Sequence, residues 1–541
     1  MERLTAIKNS ALWAAYGDAI GFISELATGS ELKRRVGASN LSETVAWNKR
    51  VGGRFGIDTE LPAGCYSDDT QLRLAVCRSI DARGFFDVEA FAKVELPLWL
   101  SYALGAGRAT RYAASNLTKA ETTWASNFFA KRGLSYVDAG GNGAAMRIQP
   151  HVWSFAKGRE LDSLLRDIIR DTVATHGHPR AILGAVFHGL CLLHTLGHEI
   201  VPSVDDWRAV LKQMERVGSM VADDGQLSYR WLPQWEKQTG KRFEDACSVV
   251  IREIDTDIAK MEPYLLEGGV GQYGDMVCAL DALSPATRGS GVKTALLASG
   301  LALLCQGDVE NAVLTSANTL GSDSDTIGTM VGALVGATVQ DEPRGALADR
   351  EYIVEESERM FQVSRGKADR SFVYPDLLGW YPPSVQLDAL KMGPHGLIFS
   401  AFGKVLPDGP EYHQKGKSPK TWRWYRSSFN QSILIRHRKP VVQDRTLPKP
   451  PTGYTKVVET QPQLGQRKQL PLEMPPITSK ADPSFSIDDA FEEVRRSGFS
   501  AEVIGRMLLK ITDSDDNVDR AVAFAAMVSK ARQERRKRQA T

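Results

Sequence analysis

From residue 1 to about residue 350 the apolar residues of this chain recur at three- and four-residue spacing, a pattern that suits helices and little else. The runs LTAIKNSALWAAYGDAIGFISEL (4–26), DSLLRDIIRDTVATH (162–176), AILGAVFHGLCLLHTLGH (181–198) and VKTALLASGLALLCQ (292–306) show it. Alternating runs are scarce there, and no βαβ pattern occurs. The expectation is one large all-α domain, compact and multi-helical, over residues 1–350.

The rest of the chain reads differently. Residues 351–439 carry FVYPDLLGWYPP, and HGLIFSAFGKVL and TWRWYRSSFNQSILIRH read as strands, so this part is a mixed extension. Residues 440–485 are proline-rich and read as a linker. Residues 486–541 read as a small helical module with a basic tail.

Composition excludes several classes. With 43% hydrophobic and 24% charged residues and a net charge of +2, the chain looks globular and favours no particular partner. Its six cysteines (65, 77, 191, 247, 278 and 305) form no C-x-x-C pair. That argues against a zinc ribbon or disulfide scaffold and fits a reducing cytoplasm, the expected location. The first residues lack a signal peptide's apolar run, and the uncharged stretches 294–306 and 326–340 are too short to span a bilayer. No membrane partner is expected.

Two short stretches carry chemistry. SDDT (67–70) sets Asp68 and Asp69 side by side between hydroxyls, and an apolar run follows. GSDSDT (321–326) sets Asp323 and Asp325 among Ser322, Ser324 and Thr326, and again an apolar run follows. Read singly, each is a helix start, where free N–H groups and the helix dipole favour negative charge. Read together, they offer enough oxygens for one or two hard cations such as Mg²⁺. A third stretch, GGNGAAMRIQP (140–150), is a glycine-rich loop whose exposed N–H groups suit a phosphate or ribose. In GDAIGFISE (17–25) the glycines permit close helix contact, and Glu25 on its own reads as a solvated helix end.

The ordered set GDAIG…E, SDDT, GNGAAMR, THGHPRA and GSDSDT resembles the ADP-ribosylglycohydrolases over about residues 1–345. The resemblance implies an all-α fold around two Mg²⁺ ions, with Mn²⁺ as a possible substitute. It implies metal ligation by Ser67, Asp68 and Asp69 on one side and by Asp323, Asp325 and Thr326 on the other. Ser67 stands where relatives often have Thr; a serine hydroxyl can do the same work. Glu25 falls on the mobile glutamate that serves as catalytic base in some members, with Asp69 or Asp323 as the fallback. Gly140, Gly141, Asn142 and Gly143 match the loop that holds ADP-ribose, and Met146, His176, Gly321 and Ser322 join the expected substrate contacts.

The implied reaction cleaves the bond between the anomeric carbon of ADP-ribose and a modified macromolecule. A protein side chain, of the arginine type, is the expected bearer. Two other readings stand beside it. One is the same hydrolase acting on ADP-ribosylated nucleic acid, recruited through residues 411–456. That segment has eleven Lys or Arg against two acids, and carries Trp422, Trp424, Tyr425 and Phe429. Its plainer reading is a strand pair with an apolar face packed on the main domain. The other is a non-catalytic ADP-ribose binder or structural protein. His194 and His198, four apart, lack a third metal ligand, and Asp255 and Asp257 read as a solvated helix face.

Overall fold

The computed structural model describes residues 2–443 apart from 54–55, 132, 157, 378–379 and 415–419, then 453–456, 486–514, 521, 524–525, 527–529 and 531. Most of the expected proline-rich linker, and the basic tail, lie outside the described residues. Met1–Val458 form one compact unit and Glu459–Thr541 another.

The first unit is built on a pair of antiparallel helices, Arg3–Ser24 and Ser324–Gly336. Small residues let their backbones touch. A Cβ on Gly17 would stand 2.2 Å from the Gly328 carbonyl oxygen, one on Gly21 2.4 Å from that of Ser324, and one on Gly332 2.3 Å from that of Trp13. These contacts recur every four residues along both helices, so one glycine ridge faces another. Both helices are buried on nearly every side, which is why they show no polar stripe. The crossing sets the end of the first helix, at Glu25, against the start of the second, at Asp325.

Pro179–His198 and Gly291–Leu304 pack around this pair. Pro179–His198 is the one described helix long and apolar enough to cross a membrane, and 78% of its apolar window is buried inside the fold. A core helix passes the same test.

The fold is helical but not purely so. A hairpin of Trp47–Val51 and Ile57–Leu61 interrupts the helical part, and its five-residue strands are too short for a clear period-two signal. The strands expected in the extension are present. A six-stranded sheet runs in the order Ser432–Arg438, Lys420–Ser427, Gly403–His413, Gly396–Phe399, Leu390–Gly393 and Val442–Gln443. Its neighbours are antiparallel except the last pair.

The extension is part of the first unit. Arg78, at the end of the helix Asp68–Ser79, is fully buried, with Nε and Nη2 donating to Glu95 at 2.8 and 2.9 Å. Its Nη1 donates to Gln431 Oε1 at 2.9 Å, and Phe402 and Phe429 lie against the guanidinium. Arg359 caps the same helix, donating to the carbonyls of Ile80 and Cys77. Trp422, Tyr425 and Phe429 are buried, so these three aromatics pack the fold, as the plainer reading of the segment expects. The fourth aromatic of that segment, Trp424, is half-buried. Asp257 also departs from expectation: it is buried, not solvated, and pairs with Lys260 and Lys293 at 2.8 Å each.

In the second unit Ser486 caps Ile487–Arg496 by accepting from the Asp489 N–H at 3.1 Å, and Ala501–Ser514 follows. Ala490, Val494, Met507, Ile511 and Phe524 form its small core.

Candidate active site

Both acid-hydroxyl stretches are helix starts, and the cap leaves the acids free for other work. Ser67 Oγ accepts from the Asp69 N–H at 3.2 Å. Beneath it lies a residue that the sequence reading passed over. Asp18, buried in the first helix, accepts from Ser67 N at 2.9 Å, Thr70 N at 2.8 Å and Thr70 Oγ1 at 2.6 Å. Arg73 in turn donates to Thr70 Oγ1 at 2.6 Å. A buried carboxylate in an apolar helix needs such partners, and its presence in GDAIG was the available signal.

Asp68 Oδ1 accepts from the Ala106 N–H at 2.7 Å. Asp323 Oδ2 accepts from Asn142 Nδ2 at 2.8 Å, and the Asn142 N–H donates to Gly289 O at 3.0 Å. Asn142 thus orients an acid as well as shaping the glycine loop. Asp69 Oδ2 is buried with no hydrogen-bond partner. Carboxylate oxygens of Glu25, Asp323 and Asp325 lie within 4.8 Å of one another.

Burial is the first cause that raises the pKa of all these acids, and at Glu25, Asp68, Asp69 and Asp325 repulsion from neighbouring carboxylates adds to it. Asp69 is pushed well above the usual carboxylate range by burial, then by Asp18, Asp68 and Asp323. Asp325 is pushed likewise, by burial and then by Glu25, Asp69 and Asp323. Asp68 rises to about 7. Glu25 is raised by burial, with Lys49 pulling the other way. An all-oxygen donor set this crowded, holding an orphaned buried oxygen, fits hard divalent cations. Asp68, Asp69, Asp323, Asp325 and Thr326, all lining one cavity, are the side chains that could supply the donors.

The acids lie at the floor of a cavity of about 660 Å³. Glu25, Gly140, Gly141, Asn142, Gly143, Met146 and His176 line it as well, whereas Ser67, Gly321 and Ser322 do not. Ser67 stays behind the acids as the cap, and Ser322 Oγ donates to Thr319 O at 2.6 Å. At Gly143 a Cβ would stand 2.8 Å from Thr110 Oγ1 and 2.9 Å from His176 Cε1, so only glycine fits. Arg147 holds this loop, donating to Gly143 O at 2.7 Å while paired with buried Asp171. The His176 pKa falls to about 3 through burial and then Arg147, which keeps the ring neutral, with Nδ1 2.7 Å from Thr175 Oγ1. Arg108 and Arg288 stand at the rim. The cavity therefore brings the buried acids together with Arg108, Arg180, Arg288 and Lys293, and its size suits a nucleotide-sized ligand.

Fold and site together define a helical protein with a buried oxygen-rich centre under a glycine loop. The chain belongs to the ADP-ribosylglycohydrolase family, whose model matches residues 3–369. It is 30% identical over 187 residues to the ADP-ribosyl-[dinitrogen reductase] glycohydrolase of Rhodospirillum rubrum, covering 34% of this chain and 56% of that one. It is 24% identical over 197 residues to the protein YegU of Escherichia coli (strain K12), covering 36% and 49%. The chain thus spans about half the length of the curated relatives it matches. A solved ADP-ribosylglycohydrolase-related protein complex aligns with a TM-score of 0.42 at 19% identity, covering 67% of this chain and 99% of that one.

Proposed function

We propose that the chain is a Mg²⁺-dependent hydrolase that releases ADP-ribose from a modified protein side chain, with an arginine-type linkage the first to test. The observation that carries this reading is the meeting of the two acid-bearing helix starts with Glu25 in one cavity. Two Mg²⁺ ions (or Mn²⁺) held by Asp68, Asp69, Asp323, Asp325 and Thr326 would supply Lewis acidity toward the ribose hydroxyls and ease the deprotonation of water.

The chain's own residues do the rest. Glycines 140, 141 and 143 let the backbone approach the ligand, and Asn142 keeps Asp323 aimed at the centre. Arg108 and Arg288 at the rim suit a diphosphate. Glu25 accepts the proton of the attacking water and returns it to the leaving group, since burial raises its pKa toward the working range. The transition state is oxocarbenium-like, as in other glycoside cleavages. The described cysteines are all free, which supports a reducing, cytoplasmic setting.

The test uses purified protein, Mg²⁺, and arginine-, serine- and cysteine-linked ADP-ribosyl peptides beside modified DNA. Mass spectrometry reads free ADP-ribose, with EDTA and Asp325→Ala as controls. Release from one peptide class, abolished in both controls, is expected. Full turnover in EDTA overturns the metal dependence, and ADP-ribose binding without release from any substrate overturns the hydrolase reading.

A further inference from the structure

Lys49 reaches the candidate active site from outside the helical core. It sits on the first strand of the Trp47–Val51/Ile57–Leu61 hairpin, on the same face as Trp47 two residues before it. Its Nζ lies 4.0 Å from the centre of the Phe22 ring and 5.0 Å from that of Trp47, and these rings meet edge to face at 5.3 Å. From that seat the ammonium stands 3.7 Å from Glu25 Oε2. Among the described residues it is the one cation in an ion pair with Glu25.

Glu25 needs such a hold. It follows the last turn of the first helix, and Leu26 after it takes a left-handed φ of 52°. Arg35 fixes the backbone here, with Nη1 donating to Ile23 O at 2.7 Å and Glu25 O at 3.3 Å. The side chain is a separate matter. It faces Asp323 and Asp325, whose charges push it outward while no cation is bound, and it is a quarter exposed, so water offers a way out. An ammonium held over two buried rings cannot follow it outward. Lys49 itself is not among the residues lining the cavity, and Glu25 is the acid its charge acts on most, ahead of Asp325 and Asp68.

We propose that Lys49 is the positioning residue of Glu25, holding its carboxylate in the site beside the metal-binding aspartates. This rests on the reading of Glu25 as the proton acceptor. The hairpin, which the helical pattern did not announce, is on this account part of the catalytic apparatus.

A double-mutant cycle tests it, using the full chain with Mg²⁺ and the ADP-ribosyl peptide that it cleaves. Lys49→Met is expected to lower kcat by about tenfold to a hundredfold with little change in KM, because a displaced base loses productive geometry. Lys49→Arg is expected to restore most of it. In a Glu25→Gln background, Lys49→Met is expected to change nothing further. Arg50→Ser, on the same strand but exposed, serves as the control for hairpin damage. A crystal structure of the Lys49→Met protein supplies a readout independent of turnover: the Glu25 carboxylate should leave its place beside Asp323 and Asp325. Wild-type kcat in Lys49→Met, an undiminished loss in the Glu25→Gln background, or an unmoved Glu25 in that crystal each overturns the proposal. Wild-type turnover by Glu25→Gln is a different result, and would overturn the base assignment instead.

Discussion

Thr326 Oγ1 lies 3.5 Å from Asp69 Oδ1, joining the two acid-bearing helix starts across 257 residues of chain. Their contact concentrates negative charge that the protein alone does not neutralise. Asparagine in place of Asp325 removes one of those charges at nearly constant shape. The metal-free variant is therefore expected to melt above the metal-free wild type. Its response to Mg²⁺ should vanish, whereas the wild type gains about 2.7 kcal/mol at a hundredfold excess over Kd. Melting curves in EDTA and in Mg²⁺ check both halves.

A pH dependence follows from Asp68. Burial first, with Glu25 and Asp18 adding repulsion, raises its pKa from 3.8 to about 7. In the folded state it keeps a proton that the unfolded chain has already lost. Its contribution to stability is thus fully present below the unfolded pKa and disappears as pH rises through the folded one. Without metal, stability should fall between about pH 4 and about pH 7, and Asp68→Asn should flatten that fall. Mg²⁺ binding near neutral pH should release protons, measurable by calorimetry in buffers of different ionisation heat.

The glycine ridge gives a prediction about packing. A Cβ on Gly17 would meet the carbonyl oxygen, carbon and Cα of Gly328, all backbone atoms that cannot swing aside. Gly17→Ala is expected to cost about 3 kcal/mol in denaturant unfolding, the upper end for overpacking, because the helices must separate. Since the same crossing brings Glu25 to Asp325, Mg²⁺ affinity should fall in whatever protein still folds.

The acids, the glycine loop and the helical class were legible because each leaves a local trace. Carboxylates beside hydroxyls at a helix start, and glycines where a backbone must come close, stand out in a few residues. Asp18 left a weaker trace, one polar residue in an apolar helix. Lys49 left none, since its meaning depends on a hairpin that returns from the surface to the end of the first helix. Ser322 shows the converse. It sits inside a telling motif, yet its hydroxyl turns to a backbone carbonyl and away from the cavity. The buried state of Asp257 was hidden for the same reason, because Lys293, one of its two lysine partners, lies 36 residues away.

The boundary expected at residue 350 leads to the last prediction. Arg78 ends the helix that begins at Asp68, and its partners come from both sides of that boundary: Glu95 before it, Gln431 and Phe429 after it. Removing the extension leaves a buried guanidinium short of an acceptor and of its aromatic cover. Loss of a hydrogen bond to a buried charged group costs about 1.5–3 kcal/mol, a large share of a domain's stability, and the lost aromatic cover adds to it. A chain cut at 350 is therefore expected to be insoluble or to melt far below the full chain, and Arg78→Met to lower stability substantially. A chain cut at 458 keeps every one of these contacts. It should retain the melting temperature of the first unit and its Mg²⁺ response, which differential scanning calorimetry of the three proteins would show directly.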